Sequence, residues 1–228
     1  MSKAVEAAKE DGGTNLQLDN FELQSIPKKL ILQFPKLQTL SLTQNQLATL
    51  PPALATLQRL EIIDLGGNQM ATIPACILDL FGLEQLSMVD NKITSIPPGI
   101  EKMTNLQRLV LQKNQLVQLP DEIGSLSNLS MLYLGTNKIT SLPRTIGGMK
   151  NVTILSIFEN ELEVIALSVL LSHLLSEQML LYFWNLGEVS KYACGSIFHM
   201  DMTMHLLPVF HLLPLRRLFL PKLGKWSL

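Results

Sequence analysis

The chain has 228 residues, of which 47% are hydrophobic and 16% are charged, and its formal net charge is −1. This length accommodates one domain with a short appendage, and the charged fraction is low for a globular protein, in which about a quarter of residues are charged. A nearly neutral chain offers no electrostatic basis for binding nucleic acid, so we expect no nucleic-acid partner.

The first predicted element is a short helix near the N terminus. Residues Val5 to Glu10 are rich in Ala and Glu, which favour helix. We assign residues 1–13 to an N-terminal cap segment, because a stack of repeats must cover its terminal apolar face. The segment after it, from Leu16 to Leu30, is an irregular first copy of the repeat described next, with Phe21 where later copies have asparagine.

The central part of the chain is a regular repeat. An asparagine recurs at a constant spacing of 23, without insertion or deletion: Asn45, Asn68, Asn91, Asn114, Asn137 and Asn160. The surrounding residues follow the pattern LxxLxLxxNxL, and a second half, LPxxIxxLxx, completes most repeats. A fixed period of this size is typical of a solenoid, in which each repeat is one coil that buries its apolar face against its neighbours.

The two halves of the repeat predict different structures. The LxL core alternates apolar and polar residues, which is the period of a strand with one buried face. The proline of the second half fixes φ and suits the first position of a short helix or 3₁₀ turn that returns the chain. Because the two sides differ in width, we predict an α/β solenoid with a concave parallel sheet and a convex side of short helices and 3₁₀ turns.

The repeated asparagine has a predicted structural role. After each strand the chain turns inward, which buries backbone N–H and C=O groups that need partners. An asparagine amide supplies two donors and an acceptor on a short stem. We predict that the six asparagines form a ladder that bridges neighbouring coils, and that losing one costs about 1–3 kcal/mol.

These motifs resemble the leucine-rich repeat family, from Leu16 to about Leu162. The 23-residue form with LPxxIxxLxx is similar to the intracellular subclass that includes the Ras suppressor protein and the repeat domains of Scribble-type scaffolds. The resemblance implies a curved solenoid of about seven coils in residues 14–162. It also implies that the usual activity is binding to other proteins, without indicating which.

The repeat register ends after Leu162. Residues 163–184 form an apolar run with polar residues at helical spacing, which predicts an amphipathic helix that caps the last coil. A transmembrane span is the alternative, but Glu163, Glu177 and the polar stripe argue against it, so we expect no membrane partner. Residues 185–228 are predicted to be an irregular tail, either a decayed coil or the product of alternative splicing or a faulty gene model.

No motif in the chain indicates catalysis. The chain contains no GxSxG, phosphate-loop or dinucleotide-binding glycine pattern, so we predict that it is not an enzyme and needs no cofactor. His199, His205 and His211 lie six residues apart near Cys194, a spacing that places no two of them on one helical face. We therefore predict no metal site.

The outward positions of the predicted strands indicate a binding surface on the concave face. One end is acidic and the other exposes apolar residues flanked by cations, as at interface hot spots. The candidate partner-binding residues are Glu61, Asp64, Glu84, Arg108, Val110, Lys113, Met131, Tyr133, Ile154 and Phe158. The alternative is that the C-terminal segment of the chain covers the apolar end.

The sequence predicts a cytoplasmic, monomeric adaptor or scaffold that binds proteins. Only two cysteines occur, and the first residues lack an apolar stretch of signal-peptide length, which favours a reducing compartment. Two alternatives stay open. One is a membrane-associated repeat protein anchored by its apolar C-terminal third, and the other is a regulatory subunit of a signalling enzyme.

Overall fold

The computed structural model describes residues 1–162 together with the backbone of residues 180–182. Helix α1 (Ser2–Glu10) precedes a series of three-residue strands. These are β1 (Asn15–Gln17), β2 (Thr39–Ser41), β3 (Ile62–Asp64), β4 (Gln85–Ser87), β5 (Arg108–Val110), β6 (Met131–Tyr133), β7 (Ile154–Ser156) and β8 (Leu180–Tyr182). All eight lie in one open parallel sheet in chain order, so each coil adds one strand beside the previous one.

The repeat period determines the register of the sheet. From β2 to β7 each residue pairs with the residue 23 positions later, as Leu40 does with Ile63. Between β1 and β2 the offset is 24, because the first coil is one residue longer. Equivalent residues of successive coils therefore form columns that run across the strands.

The alternation of each strand separates a buried column from an outward one. In β3, Ile63 is fully buried, whereas Ile62 and Asp64 on either side are half-buried and face outward. Leu65, two residues after Ile63, is also fully buried. One continuous apolar core runs from Ala8 to Leu162, so each coil depends on its neighbours for burial.

The return segments are short helical pieces on the side opposite the sheet. Two are α-helical, α2 (Lys28–Ile31) and α3 (Ala75–Leu78), and four are 3₁₀ turns, at Pro52–Thr56, Pro98–Lys102, Asp121–Ser125 and Arg144–Gly148. The repeated proline lies one residue before each of them with an extended backbone, for example φ −67° and ψ 139° at Pro51. The expectation that this proline is the first helical residue is therefore wrong, because the fixed φ of proline suits the extended residue before the helix equally well.

A left-handed residue ends each strand region. The residue before each repeated asparagine has a positive φ: Gln44 at 54°, Gly67 at 67°, Asp90 at 56°, Lys113 at 54°, Thr136 at 57° and Glu159 at 51°. This conformation turns the chain from the sheet toward the interior and points the next side chain inward. Only one coil uses glycine there, and the β-branched Thr136 is strained in this region.

The predicted capping helix differs from the structure at its C-terminal end. Leu180–Tyr182, within the 163–184 segment, form β8 and pair with β7 instead of continuing a helix. Ile154 pairs with Leu180 at an offset of 26, so a search at a spacing of 23 misses this strand. The remainder of 163–184, and the predicted irregular tail at 185–228, lie outside the described residues.

Candidate functional site

The six repeated asparagines bridge neighbouring coils. In Asn68, the side-chain nitrogen donates to the carbonyl oxygen of Leu65 in its own coil and of Leu42 in the preceding coil, both at 2.9 Å. Its side-chain oxygen accepts from the backbone nitrogen of Leu47 at 2.9 Å. The same three hydrogen bonds recur at Asn91, Asn114, Asn137 and Asn160.

The first rung of this ladder shows why the first coil needs no asparagine. Asn45 accepts from the backbone nitrogens of Phe21 and Leu23 and donates to the carbonyl oxygen of Leu18. Each asparagine thus forms hydrogen bonds with backbone groups of the coil before it. The first strand is preceded by α1 and not by another coil, so an asparagine in the first coil would have no such groups to bind. Phe21 is exposed. The ladder holds the strands in register and thereby positions their outward side chains.

A second amide ladder lies in the turns before the strands, and sequence reasoning missed it. The side-chain nitrogens of Asn105, Asn128 and Asn151 donate to carbonyl oxygens 24 residues earlier, at distances of 2.8, 2.8 and 2.6 Å. All three side-chain bonds are exposed. The signal was present in the sequence, because these asparagines recur at the same spacing as those of the first ladder.

The outward side of strands β1 to β7, here called the sheet face, changes in character along the stack. Its C-terminal end carries an aromatic cluster, which we define as Arg108, Met131, Tyr133, Ile154 and Phe158. The guanidinium carbon of Arg108 lies 5.2 Å from the centroid of the Tyr133 ring, which is cation–π geometry. The Tyr133 hydroxyl contacts the sulfur of Met131 at 3.8 Å.

The position of Phe158 depends on a missing side chain. Its ring lies over Gly135, where a Cβ atom would overlap the ring. Gly135 follows β6 and stands one repeat before Phe158, so both occupy one column on adjacent coils. The glycine therefore provides the space that the Phe158 ring occupies on the sheet face.

The apolar end is less exposed than the sequence predicted. Met131, Tyr133, Ile154 and Phe158 are half-buried, and Val110 is only 7% exposed. The expectation that Val110 is exposed is therefore wrong. Val110 pairs with Tyr133 across β5 and β6, so the short side chain lies beside a much larger ring.

The acidic strip, defined as Glu61, Asp64, Glu84 and Asp90, lies on and beside strands β3 and β4 of the sheet face. Asp64 is the last residue of β3, Glu61 and Glu84 directly precede β3 and β4, and Asp90 follows β4 by three residues. Glu61 and Asp90 are exposed, and Asp64 and Glu84 are half-buried. Two of these carboxylates make hydrogen bonds to neutral groups. Glu61 accepts from the side chain of Gln38 at 3.2 Å, and Asp64 accepts from the backbone nitrogen of Gly66 at 3.0 Å.

The acidic strip has no cationic partner among residues 1–162. Within that part of the chain, the ion pair joins Lys102 to Asp79, which belong to the return segments, at 3.9 Å. Arg108 and the exposed Lys113 lie one coil beyond the acidic strip, at opposite ends of β5. The sheet face therefore presents acidic, cationic and aromatic zones in that order along the stack.

Two further groups bear on chemistry away from the sheet face. Burial raises the pKa of the Cys76 thiol, and the neighbouring Asp79 carboxylate raises it further, so this thiol stays protonated and unreactive. Among residues 1–162, no three histidine, cysteine, aspartate or glutamate side chains are grouped so that they could bind a metal ion. Cys194 and the four histidines lie outside the described residues.

In the portion that the structure describes, the helices are too short or too polar to span a bilayer. The transmembrane alternative considered for residues 163–184 falls mostly outside that portion.

Comparisons with known proteins identify the family. The model for "Leucine rich repeat" matches residues 14–70 and 104–162, together more than half of the chain. A leucine-rich repeat protein of Leptospira interrogans has a similar structure, with 35% identity and a TM-score of 0.68 over 76% of this chain and 42% of its own. No curated protein matches the chain.

Two other solved structures are similar in fold alone. An internalin from Listeria monocytogenes has 20% identity and a TM-score of 0.61 over 78% of this chain and 50% of its own. A plant peptide hormone receptor has 24% identity and a TM-score of 0.60 over 75% of this chain and 28% of its own. The chain spans half or less of the length of each of these three proteins. With its repeat, its parallel sheet and its matched segments, the chain belongs to the leucine-rich repeat family, whose members are generally non-catalytic protein-interaction modules.

Proposed function

We propose that this protein is a non-catalytic adaptor or scaffold that binds a partner protein on the sheet face. The observation that carries the proposal is the aromatic cluster, in which Arg108 stacks on Tyr133 and the ring of Phe158 occupies the space left by the missing side chain of Gly135. Tyrosine and arginine are the residue types that dominate binding energy at protein interfaces. Membership of the leucine-rich repeat family supports the same kind of activity.

The cluster is suited to binding because its side chains are already held. The ring of Tyr133 contacts the guanidinium of Arg108 and its hydroxyl contacts the sulfur of Met131, and a half-buried ring has few rotamers to lose. Each immobilised flexible side chain otherwise costs about 0.5–1.5 kcal/mol on association. A preorganised aromatic surface therefore converts more of its contact area into affinity.

We further propose that the protein works in the cytoplasm as a monomer. Two cysteines in 228 residues are few for a protein of an oxidising compartment, and Cys76 is a buried free thiol. Fractionation of cells that express the full chain tests the compartment. We expect the protein in the cytosolic fraction, and recovery in the membrane pellet would contradict the proposal.

The binding surface is tested by affinity capture with two matched variants of the full chain. The first, Tyr133→Ala with Phe158→Ser, removes two aromatic rings from the sheet face. The second, Phe81→Ser with Val117→Ala, removes apolar side chains that are 51% and 48% exposed elsewhere on the coils. Circular dichroism establishes that both variants keep the fold.

We expect the first variant to lose the partners that the wild-type protein captures, because hot-spot truncations cost about 2 kcal/mol or more each. The second variant should keep them. Equal recovery by the wild-type protein and the sheet-face variant would reject the sheet face as the binding surface. Equal losses in both variants would indicate nonspecific apolar adsorption and would also reject it.

A further inference from the structure

The sheet face has a charge pattern that restricts what can bind there. Residues 38–45, 61–68 and 84–91 form strands β2 to β4 with their flanking residues, and they include four carboxylates and no lysine or arginine. The corresponding residues of the next coil, 107–114, carry Arg108 and Lys113. The acidic strip thus carries only negative charges, and the coil next to it carries positive ones.

The acidic strip and the aromatic cluster are aligned by the sheet register. Asp64, Ser87, Val110 and Tyr133 are paired residues of successive strands and form one column. Neighbouring strands are about 4.8 Å apart, so three steps separate Asp64 from Tyr133 by about 14 Å. Both side chains point outward from the same side of the sheet.

This separation matches the geometry of an extended peptide. An extended chain rises about 3.3 Å per residue, so about 14 Å corresponds to four residues. Side chains four residues apart on an extended chain point to the same side, because the side-chain period is two. One peptide lying across the strands can therefore place one side chain on the acidic strip and another on the aromatic cluster.

We infer that the partner binds through an extended segment that places a lysine or arginine over the acidic strip and, four residues away, an aromatic or large aliphatic side chain over the aromatic cluster. This inference rests on the proposed function. The basic residue supplies the cation that Glu61, Asp64, Glu84 and Asp90 lack among the described residues, and opposite charges across an interface steer association and fix its direction. The apolar residue packs on Tyr133 and Phe158.

Arg108 and Lys113, in the coil that follows the acidic strip, further restrict the charge of a segment that can bind. Arg108 lies on the Tyr133 ring. Its positive charge is therefore close to those residues of the bound segment that lie between the basic residue and the aromatic cluster. Like charges in juxtaposition at an interface disfavour binding. The segment is therefore basic at one end only, and a uniformly basic peptide should bind less well than one with a single basic end.

Selection from a library of short random peptides, displayed on phage against the immobilised full chain, tests this inference. We expect enriched peptides to share a lysine or arginine four residues from an aromatic or large aliphatic residue. A synthetic peptide with the consensus sequence is then titrated against the wild-type protein and two charge-reversal variants. Glu61→Lys with Glu84→Lys leaves two carboxylates and two lysines in the acidic strip, which removes its net negative charge. Glu101→Lys with Glu122→Lys is the matched control in the return segments.

The acidic-strip variant should lose affinity by about tenfold or more, and the control should not. Changing the basic residue of the peptide to glutamate should lower its affinity for the wild-type protein much more than its affinity for the acidic-strip variant, because that variant has no net charge there. A selection without a basic consensus, or a peptide that binds both variants as it binds the wild-type protein, would overturn the inference. If such a peptide still loses binding to Tyr133→Ala with Phe158→Ser, the proposed function stands without it; if that variant also binds normally, both fail.

Discussion

The buried and outward columns of the sheet differ in how much the residue type varies from coil to coil. The middle residues of strands β2 to β7 are Leu40, Ile63, Leu86, Leu109, Leu132 and Leu155, all buried and of nearly equal volume. The next residues, which face outward, are Ser41, Asp64, Ser87, Val110, Tyr133 and Ser156. A constant inner column is what regular stacking needs, whereas the outer column is free to vary and can carry recognition.

The largest expected effect is the difference in stability between variants at two adjacent residues of β5, the buried Leu109 and the outward Arg108. Leu109→Ala opens a cavity at a fully buried site and should lower the free energy of unfolding by about 3 kcal/mol. The exposed Arg108→Ala should change it by less than about 1 kcal/mol. Urea denaturation followed by circular dichroism measures both, and similar losses at the two positions would refute the distinction.

The two amide ladders offer a second contrast. Asn114→Ala removes the partners of two carbonyl oxygens and one backbone nitrogen in the interior, so we expect a loss of about 2–3 kcal/mol. Asn105→Ala removes one exposed hydrogen bond and should cost about 0.5–1 kcal/mol. Thermal and urea denaturation of the two variants give the comparison, and an equal cost would mean that burial does not set the strength of the ladder.

The smallest expected effect concerns the left-handed residue of each coil. Thr136 has φ 57°, where a β-branched side chain costs about 1–2 kcal/mol, and Gly67 occupies the same position in an earlier coil. Thr136→Gly should raise the free energy of unfolding by up to about 1 kcal/mol, because glycine relieves the strain but adds entropy to the unfolded chain. The reverse change, Gly67→Thr, should destabilise, because it places a β-branched residue at φ 67°, whereas the exposed end of the Gln44 side chain can move away from the added Cβ atom. If both changes left stability unchanged in urea denaturation, the positive φ would not be a source of strain in this fold.

The architecture could be predicted from the sequence because the buried positions of each coil carry the same residue types at a constant spacing. Six asparagines at one spacing determined where strands β2 to β7 lie, and the leucines around them indicated which side chains are buried. The strand at Leu180–Tyr182 could not be found in this way, since its offset from β7 is longer than the repeat period. A single change in spacing removes the signal on which the prediction depends.

The sheet face could be predicted only in part, because the exposure of a side chain depends on its neighbours in adjacent coils. Val110 is an outward residue by alternation, yet it is buried beside Tyr133. The stacking of Arg108 on Tyr133 and of Phe158 over Gly135 depends on side-chain directions that a repeat pattern does not specify. The sequence indicated which residues face outward, but only the structure shows how their side chains are arranged.

Hydrogen–deuterium exchange of the full chain, alone and with a partner recovered by affinity capture, tests the central claim most directly. If the sheet face is the docking surface, protection on binding should appear in residues 107–112, 130–135 and 153–158, which contain β5, β6 and β7. The 3₁₀ turns at Asp121–Ser125 and Arg144–Gly148 on the opposite side should exchange as before. Protection confined to those turns, with unchanged exchange in the strands, would contradict the account.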